Sequence, residues 1–403
     1  MSDRRRWLAL GLTLAVAVLW YASTLFRTAH PSDENAYFQG FALSLGGASP
    51  YGAPRFVYLP IFARAGALAV GLFGERATTL VIRLVNLIAA CILVRQSVAL
   101  TSLGERAKTW LGLAAIIGFR PFLQSFEVGN LSPVAAAATV GALTLAVRRP
   151  VAAGLVLAAG CAVKPAGLGA LAVLLAYGSG ADARKARVAA AIAALAIAAT
   201  LAVDAHWLRE LFSRSSDLSE ASTNLSLQGI IAGLGIHVSW LPVTVFALLA
   251  CAEWMYARRA LRRSRPAHES DSLSLVAIGC LASLYSAPRV WVHSFTMVVP
   301  AVVVAVAHAA ARVKGAFFAG TAAPASLAAD AKPRATAMAM WVILAVACIA
   351  VGDAWGELGS LVPGFPFAHS VGAAIPLAAT AFLTQTAMLA ARRSCSAPPT
   401  GTP

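Results

Sequence analysis

Charged residues are scarce in this chain. Asp, Glu, Lys and Arg make up 12% of its 403 residues, whereas a soluble chain of average composition has about 25%. Apolar residues make up 59%, and they fall in repeated runs of near-spanning length separated by arginine clusters. This scarcity excludes a single soluble core, and the pattern predicts an all-α polytopic membrane protein.

Motifs for several other functions are missing too. The sequence has no G-x-G-x-x-G, no Walker loop, no nucleophile elbow and no clustered His and Cys residues, so neither a nucleotide-binding fold nor a metal site is predicted. Its six cysteines form no C-x-x-C pair,. The net charge of +15 does not indicate nucleic-acid binding, because the basic residues lie in small groups between apolar runs, where they orient a membrane protein.

The basic clusters predict the topology. The first apolar run, residues 7–26, follows three arginines and is too long for a cleaved signal peptide, so we expect it to be retained as a membrane helix. Both termini then lie in the cytoplasm. We expect about 12 transmembrane helices, near residues 7–26, 77–94, 109–121, 131–147, 150–163, 166–180, 188–203, 238–257, 273–286, 295–311, 336–352 and 371–390.

One apolar segment does not fit this count. Treating Leu59 to Phe73 as a span would place every later basic cluster outside, so we expect a re-entrant or interfacial element on the outer side. The whole of residues 1–393 is interpreted as one transmembrane domain, with a first extracytoplasmic loop over 27–59 that carries short interfacial helices. Residues 394–403 are expected to form a disordered cytoplasmic tail.

The first outer loop begins with a helix signal. Pro31 is followed by Ser32, which can cap a helix, and then by two acids that favour the positive N-terminal end. Gly46 and Gly47 predict the end of this helix.

The two adjacent acids of this helix are given different roles. Asp33 shares a helix face with Tyr37 and Phe41, which follow it at intervals of four residues. We therefore interpret Asp33 as functional, because it lies on the face of aromatics beside the membrane. Glu34 is expected only to decorate the helix N-terminus in water.

Polar residues recur in four later outer stretches. Lys164 lies between two apolar runs, and Arg289 and His293 flank Trp291. A cation near the membrane costs about 2.5–3.5 kcal/mol even on the lenient insertion scale. For these three cations, a buried anionic ligand explains the position better than snorkelling to the headgroups does. His30 has no recognisable partner and is left without a role.

These stretches resemble a known family when they are taken in order. "DENAYFQGFALSLGGASPYG", followed by "FVYLP", resembles the first outer loop of the membrane glycosyltransferase family 87, of the GT-C type. "VKPAG", "NLSLQG" and "APRVWVHSFTMVVP" are similar to later elements of that family. The matches run in family order from residue 33 to 300.

The resemblance implies a GT-C-type fold and a transferase. Such an enzyme moves a hexose, often mannose, from a polyprenyl-phosphate donor to a lipid or glycan hydroxyl on the extracytoplasmic side of the membrane, here the inner membrane of a bacterium. We hypothesise that Asp33 is the general base of an inverting reaction, and that His293, Arg289 and Lys164 bind the donor phosphate. Contacts with substrate are assigned to Tyr37, Tyr58, Trp291, Asn130 and Asn224. The expected partners are the donor, the acceptor and membrane lipids; no cofactor or metal is required, although one acid-bound divalent ion is compatible with the site.

Two alternatives use the same features differently. A polytopic lipid or sugar transporter or flippase would also place cations in a membrane groove, but it predicts ionisable residues near the midplane and internal repeats, and no repeat is found. A non-catalytic assembly partner would retain the fold without the activity.

Overall fold

The described chain is all-α. The computed structural model describes residues 15–16, 18–177, 180–216, 225–226, 230, 255, 259, 270–285, 287, 290–319, 325–351 and 368–394. Within these ranges there is no strand. The α-helices in them are α1 (Ser32–Leu45), α2 (Pro60–Phe73), α3 (Glu75–Ala99), α4 (Glu105–Gly118), α5 (Arg120–Val128), α6 (Ser132–Leu145), α7 (Pro150–Val163), α8 (Leu168–Ala176), α9 (Ala181–Val203), α10 (Leu208–Ser216), α11 (Ser270–Tyr285), α12 (Val299–Ala319), α13 (Ala325–Ala350) and α14 (Ala368–Ser394). Short 3₁₀ helices cover Pro50–Gly52, Pro165–Gly167, Ala205–Trp207 and Val292–Val298.

Several of these helices have the length and composition of membrane spans. Within the described ranges, four segments qualify, namely Glu75–Ala99, Ala181–Val203, His293–Lys314 and Pro333–Ala350, and a fifth does if α4 and α5, bent by 46°, count as one. Six shorter apolar helices accompany them. A membrane protein is thus supported, whereas the expected count of about 12 spans is not confirmed, and the expected span 238–257 lies almost wholly outside the described residues.

Small residues let the central helices approach closely. α6 packs against α3 and α7, and α7 packs against α9. A Cβ on Gly154 would lie 2.6 Å from the backbone oxygen of Ala189, and one on Gly160 would lie 2.7 Å from Cβ of Ala138. Such close backbone approach is how helices associate where lipid removes the hydrophobic driving force. It fixes α6, whose start carries part of the site described below.

In the segment Leu59 to Phe73, residues Pro60–Phe73 form the helix α2 and Leu59 is its N-cap residue. Its 14 residues would reach roughly 21 Å, which is less than the roughly 30 Å hydrocarbon core of a bilayer. A helix of this length is short for a full span, as are the other apolar helices of 10–17 residues. Its position on the outer side stays a prediction.

α1 is held by aromatic packing against α2. Phe41 and Phe56 are buried, and a Cβ on Gly66 would lie 2.2 Å from the Phe41 ring, while one on Gly40 would lie 2.4 Å from the Phe56 ring. The two glycines therefore let rings pack directly on the helix backbones. This packing fixes the rotation of α1 and so the direction in which its first turn faces.

The ends of α1 were predicted with one error. The helix ends at Gly46, and Gly47 has the left-handed φ of +77°, as expected. At the other end, however, Pro31 is the N-cap residue and no side chain caps the helix. Ser32 is already inside the first turn, so its hydroxyl does not perform the capping role expected from the sequence.

Candidate active site

Asp33 lies partly buried at the first turn of α1. Its Oδ2 accepts a hydrogen bond from Nδ2 of Asn130 over 2.6 Å. Its Oδ1 has only a long contact of 3.5 Å with the hydroxyl of Ser32. One carboxylate oxygen is thus fixed by an amide, and the other keeps the capacity to accept a proton.

A left-handed turn presents Asn130 to Asp33. Gly129 ends α5 with a φ of +71°, a conformation that glycine adopts without strain. The side-chain oxygen of Asn130 then accepts from the backbone N–H of Ser132 over 2.8 Å and from its hydroxyl over 2.6 Å. Since both ends of the amide are engaged, its orientation toward Asp33 is determined by hydrogen bonding.

Lys164 lies between two apolar helices, α7 and α8, just before the 3₁₀ helix Pro165–Gly167. Its backbone is extended, with φ −153° and ψ 117°. The reason is Pro165, because a proline disfavours the helical conformation in the residue before it. The amine donates to Oγ of Ser132 over 2.7 Å and to Oγ of Ser294 over 3.2 Å. Hydrogen bonds therefore connect Asp33 with Lys164 through two side chains, those of Asn130 and Ser132.

His293 and Trp291 lie close to Ser294, the second serine that Lys164 contacts. Their rings stack with centroids 5.7 Å apart, and the backbone N–H of Trp291 donates to Oγ of Ser294 over 3.3 Å. The imidazole is 4% exposed, and its Nε2 has no hydrogen-bond partner in the described part of the chain. A buried polar atom left in this way costs free energy unless a ligand or water satisfies it.

Tyr37 and Tyr58 pack in the protein interior. Tyr37 is fully buried, and its OH accepts from the OH of Tyr58 and from the backbone N–H of Leu131, each over 3.2 Å. Tyr37 thereby links α1 to the start of α6. The direct contact with substrate that the sequence predicted for these two residues stays a prediction.

Burial and neighbouring charges shift the pKa values of Asp33 and Lys164 in opposite directions. Burial raises the pKa of Asp33 above its ordinary value, whereas the hydrogen bond from Asn130 and the charges of Lys164 and Arg55 lower it,. Burial lowers the pKa of Lys164 to about 8, and the charge of Asp33 raises it. The two groups therefore stabilise each other's charged form across the site.

Two predicted site residues cannot be placed. Arg289 and Asn224 lie outside the described residues. Their neighbours do meet, since the backbone N–H of Leu225 donates to the carbonyl oxygen of Val290 over 2.7 Å. The remaining predicted site residues form two groups, one around Asp33 and Lys164 and one in the aromatic interior.

Glu34 and His30 differ from expectation. Glu34 is fully buried rather than in water, because Arg83 of α3 forms a paired contact with its carboxylate, Nε to Oε2 over 2.9 Å and Nη2 to Oε1 over 2.7 Å. His30 has two partners, Glu34 at 2.5 Å and Glu75 at 2.8 Å. A buried carboxylate with a bidentate arginine is an internal ion pair, not a solvated helix end.

Four polar residues of this region were missed. Arg83 and Asn86 lie inside the apolar run of α3, and a polar or ionisable side chain in such a run is a functional signal that could have identified them. Ser132 and Ser294 carried no comparable signal, because a serine at a helix start is common. Within the described ranges, no group of three or more His, Cys, Asp and Glu side chains is arranged to hold a metal ion.

The comparison with known families covers the middle of the chain. Residues 56–286 match the model of glycosyltransferase family 87, which is more than half of the sequence. Neither a curated protein nor a solved structure matches. The matched range contains Tyr58, Asn130 and Lys164, whereas Asp33 and His293 lie on either side of it, so the site joins residues from within and from beyond the match.

Proposed function

The chain belongs to glycosyltransferase family 87 and is a glycosyltransferase, and on that premise we propose that it transfers a hexose, mannose first, from a polyprenyl-phosphate donor to a hydroxyl of a lipid or glycan. In this proposal the reaction takes place on the extracytoplasmic side of a bacterial inner membrane, both termini are cytoplasmic, and the fold is of the GT-C type. The donor reaches its site from the bilayer, so no nucleotide-binding element is needed.

One observation carries the proposal. A continuous series of hydrogen bonds joins a carboxylate, Asp33, to a buried amine, Lys164, and extends to Ser294 beside His293. A carboxylate base for the acceptor hydroxyl and cations for the departing phosphate are the two kinds of group that glycosyl transfer from a lipid phosphate requires. They come from elements far apart in the chain, which supports a shared chemical role.

Asp33 is the proposed general base. As the acceptor oxygen bonds to the anomeric carbon, its proton passes to Oδ1 of Asp33, while Oδ2 stays bound to Asn130. The bond between the anomeric carbon and the phosphate oxygen breaks on the opposite face, and its electron pair leaves with the polyprenyl phosphate. The sugar is thereby inverted, and Asp33 later returns its proton to solvent.

The cations are proposed to stabilise the leaving group. Negative charge accumulates on the phosphate as its bond to the sugar breaks, and preorganised donors in a water-poor site are most effective at that point. Lys164 supplies a charge oriented by Ser132 and Ser294, and Nε2 of His293, which has no partner among the described residues, supplies a further donor or acceptor. Arg289 is proposed to add a third contact, and Trp291 to pack against the sugar or the lipid.

The proposal is tested by reconstitution. The purified protein is placed in liposomes with a polyprenyl-phosphate hexose that carries a labelled sugar, in separate arms for mannose, glucose and arabinose donors. We expect label to appear in a glycolipid acceptor, with the product anomer opposite to that of the donor. Movement of the intact donor between leaflets without any transfer would instead indicate a flippase and would overturn the proposal.

A further inference from the structure

One face of α3 contacts both the first turn of α1, which carries Asp33, and Asn130, which binds Asp33. Arg83 and Asn86 are three residues apart on this helix and so lie on the same side of it. Arg83 binds the carboxylate of Glu34 through two hydrogen bonds. Asn86 donates from Nδ2 to the backbone oxygen of Asn130 over 2.9 Å.

These contacts close a ring. Glu34 is the chain neighbour of Asp33, and Asn130 donates to Asp33. Starting at α3, the ring therefore runs from Arg83 to Glu34, along the backbone to Asp33, across to Asn130 and back to Asn86. Since both anchors stand on one rigid helix, the carboxylate of Asp33 is located relative to α3 from two directions.

Arg83 also holds the chain before α1. Its Nη1 donates to the carbonyl oxygens of Leu25 over 3.0 Å and of Arg27 over 2.6 Å, and Nη2 makes a longer contact of 3.4 Å with that of Ala29. The guanidinium thus fixes the entry to α1 as well as its first turn. A residue needed only for membrane insertion would have no reason to bind three successive parts of this loop.

We infer that Arg83 and Asn86 are positioning residues that set the place of Asp33 through Glu34 and Asn130. The inference rests on the proposed function, because it takes Asp33 as the general base. It adds that the geometry of the base is built by a helix that does not itself reach the reacting atoms.

Gly129 supports this arrangement from the turn. A Cβ at this position would lie 2.8 Å from Cβ of Glu34 and 2.8 Å from Cγ of Pro31, and its φ of +71° is left-handed. Only a glycine lets the turn approach α1 closely enough for Asn130 to reach Asp33. The ring therefore depends on close approach at one side and on an ion pair at the other.

The groups around Asp33 set its pKa. A change in this pKa therefore distinguishes a positioning role of Asn86 from an effect on stability alone. Lys164 and Arg55 act on the carboxylate by charge, and Tyr37 and Ser32 adjoin it on its own helix. The bond from Asn130 lowers the pKa of Asp33. Losing the anchor at Asn86 should loosen that bond and raise the pKa of Asp33, so that the acid limb of kcat/KM moves to higher pH.

The experiment compares Asn86→Leu with Arg64→Met in the full-length protein, using the reconstituted transfer assay. Leu has the same number and branching of side-chain heavy atoms as Asn, but it is bulkier and cannot donate a hydrogen bond to the oxygen of Asn130. Arg64 pairs with Asp204 through Nε at 2.9 and 3.0 Å and does not contact Asp33, so its replacement serves as a matched loss of a polar anchor. For each variant the pH profile, kcat, KM for the donor and the midpoint of thermal unfolding are measured.

For Asn86→Leu we expect kcat to fall about 10- to 100-fold with KM nearly unchanged, because misplacing a reacting group by about 1 Å has such an effect. The acid limb should move to higher pH. For Arg64→Met the unfolding midpoint should fall without any movement of the limb. If Asn86→Leu gives poor yields, Asn86→Ser, which is too short to reach Asn130, is expected to show the same shift.

Failure of the inference is distinguishable from failure of the proposed function. The positioning role is overturned if Asn86→Leu folds and the acid limb of its kcat/KM profile stays in place, whether or not its rate falls. The proposed function survives that result as long as Asp33→Asn is inactive. An Asp33→Asn variant with full activity instead overturns the proposed function itself, whatever the behaviour of Asn86.

Discussion

The amine of Lys164 donates to the hydroxyl of Ser132 over 2.7 Å, and that hydroxyl donates to the same Asn130 amide that holds Asp33. A cation and an acid are therefore connected without forming a direct ion pair. A direct salt bridge would consume both charges, whereas here the side chains of Asn130 and Ser132 join them.

Replacing Asp33 by Asn should abolish transfer. The amide cannot accept the acceptor proton, and loss of a general base costs about 100- to 10,000-fold in rate. Turnover of labelled donor is the measurement, together with thermal unfolding to show that the variant is folded. Asp182→Asn is a suitable control, because that acid forms an exposed ion pair with Lys185 at the start of α9. Wild-type turnover in Asp33→Asn would mean that another group takes the proton.

The pH profile of kcat/KM should be bell-shaped. Burial raises the pKa of Asp33 above its ordinary 3.8, so the base becomes protonated, and activity falls, already at a pH above 3.8 as the medium is acidified. On the alkaline side Lys164, with a pKa of about 8, loses its charge, and activity falls again as the pH rises through that value. Rates measured across the range in wild type and in Lys164→Arg provide the check. Because arginine stays charged, the alkaline limb should move to higher pH or vanish in that variant. An unchanged alkaline limb would show that it does not report the titration of Lys164.

Replacing Lys164 by Met should lower kcat more than it raises KM. The charge acts most strongly on the phosphate as it leaves, and removal of one such donor costs about 100-fold or more. Initial rates at varied donor concentration separate the two effects. Lys185→Met, which removes an exposed lysine, should leave both parameters unchanged. A Lys164→Met variant with only a raised KM would indicate that this residue binds donor and transition state equally.

The sequence was informative about helices and about the site for different reasons. The helix of residues 32–45 followed from local signals, a proline before two acids and two glycines after the last apolar position. Lys164 and His293 were identified because a buried cation in an apolar run is costly and so needs a reason. Asp33 was preferred to its neighbour because it shares a helix face with aromatic residues; it accepts a hydrogen bond from Asn130, and its catalytic role stays a prediction.

What failed depended on tertiary contacts. Glu34 was predicted to face solvent. Its partner in the structure is Arg83, 49 positions away in the chain, and no local sequence pattern indicates that pairing. Serine hydroxyls at Ser132 and Ser294 orient Lys164 only once three distant segments have packed, so their role was not visible from the sequence.

Replacing Arg83 by Met should destabilise the protein strongly, and a second change should relieve part of the effect. Glu34 has a side-chain exposure of only 1% and Arg83 of 7%, so the single replacement leaves a buried carboxylate without its cation. Breaking a buried pair from one side costs about 3–5 kcal/mol of unfolding free energy. The double variant Glu34→Gln, Arg83→Met removes the orphaned charge too and should be less destabilised than Arg83→Met alone.

The measurement is the unfolding midpoint of the two single variants and the double variant in one detergent at one scan rate. A positive coupling, with the double variant more stable than the sum of the single effects, indicates an internal ion pair. Additive effects would mean that Glu34 is solvated, as its sequence position alone suggests. Lys108→Met is the control: it breaks an exposed pair with Glu105, which is worth at most about 1 kcal/mol, so its midpoint should stay close to that of wild type.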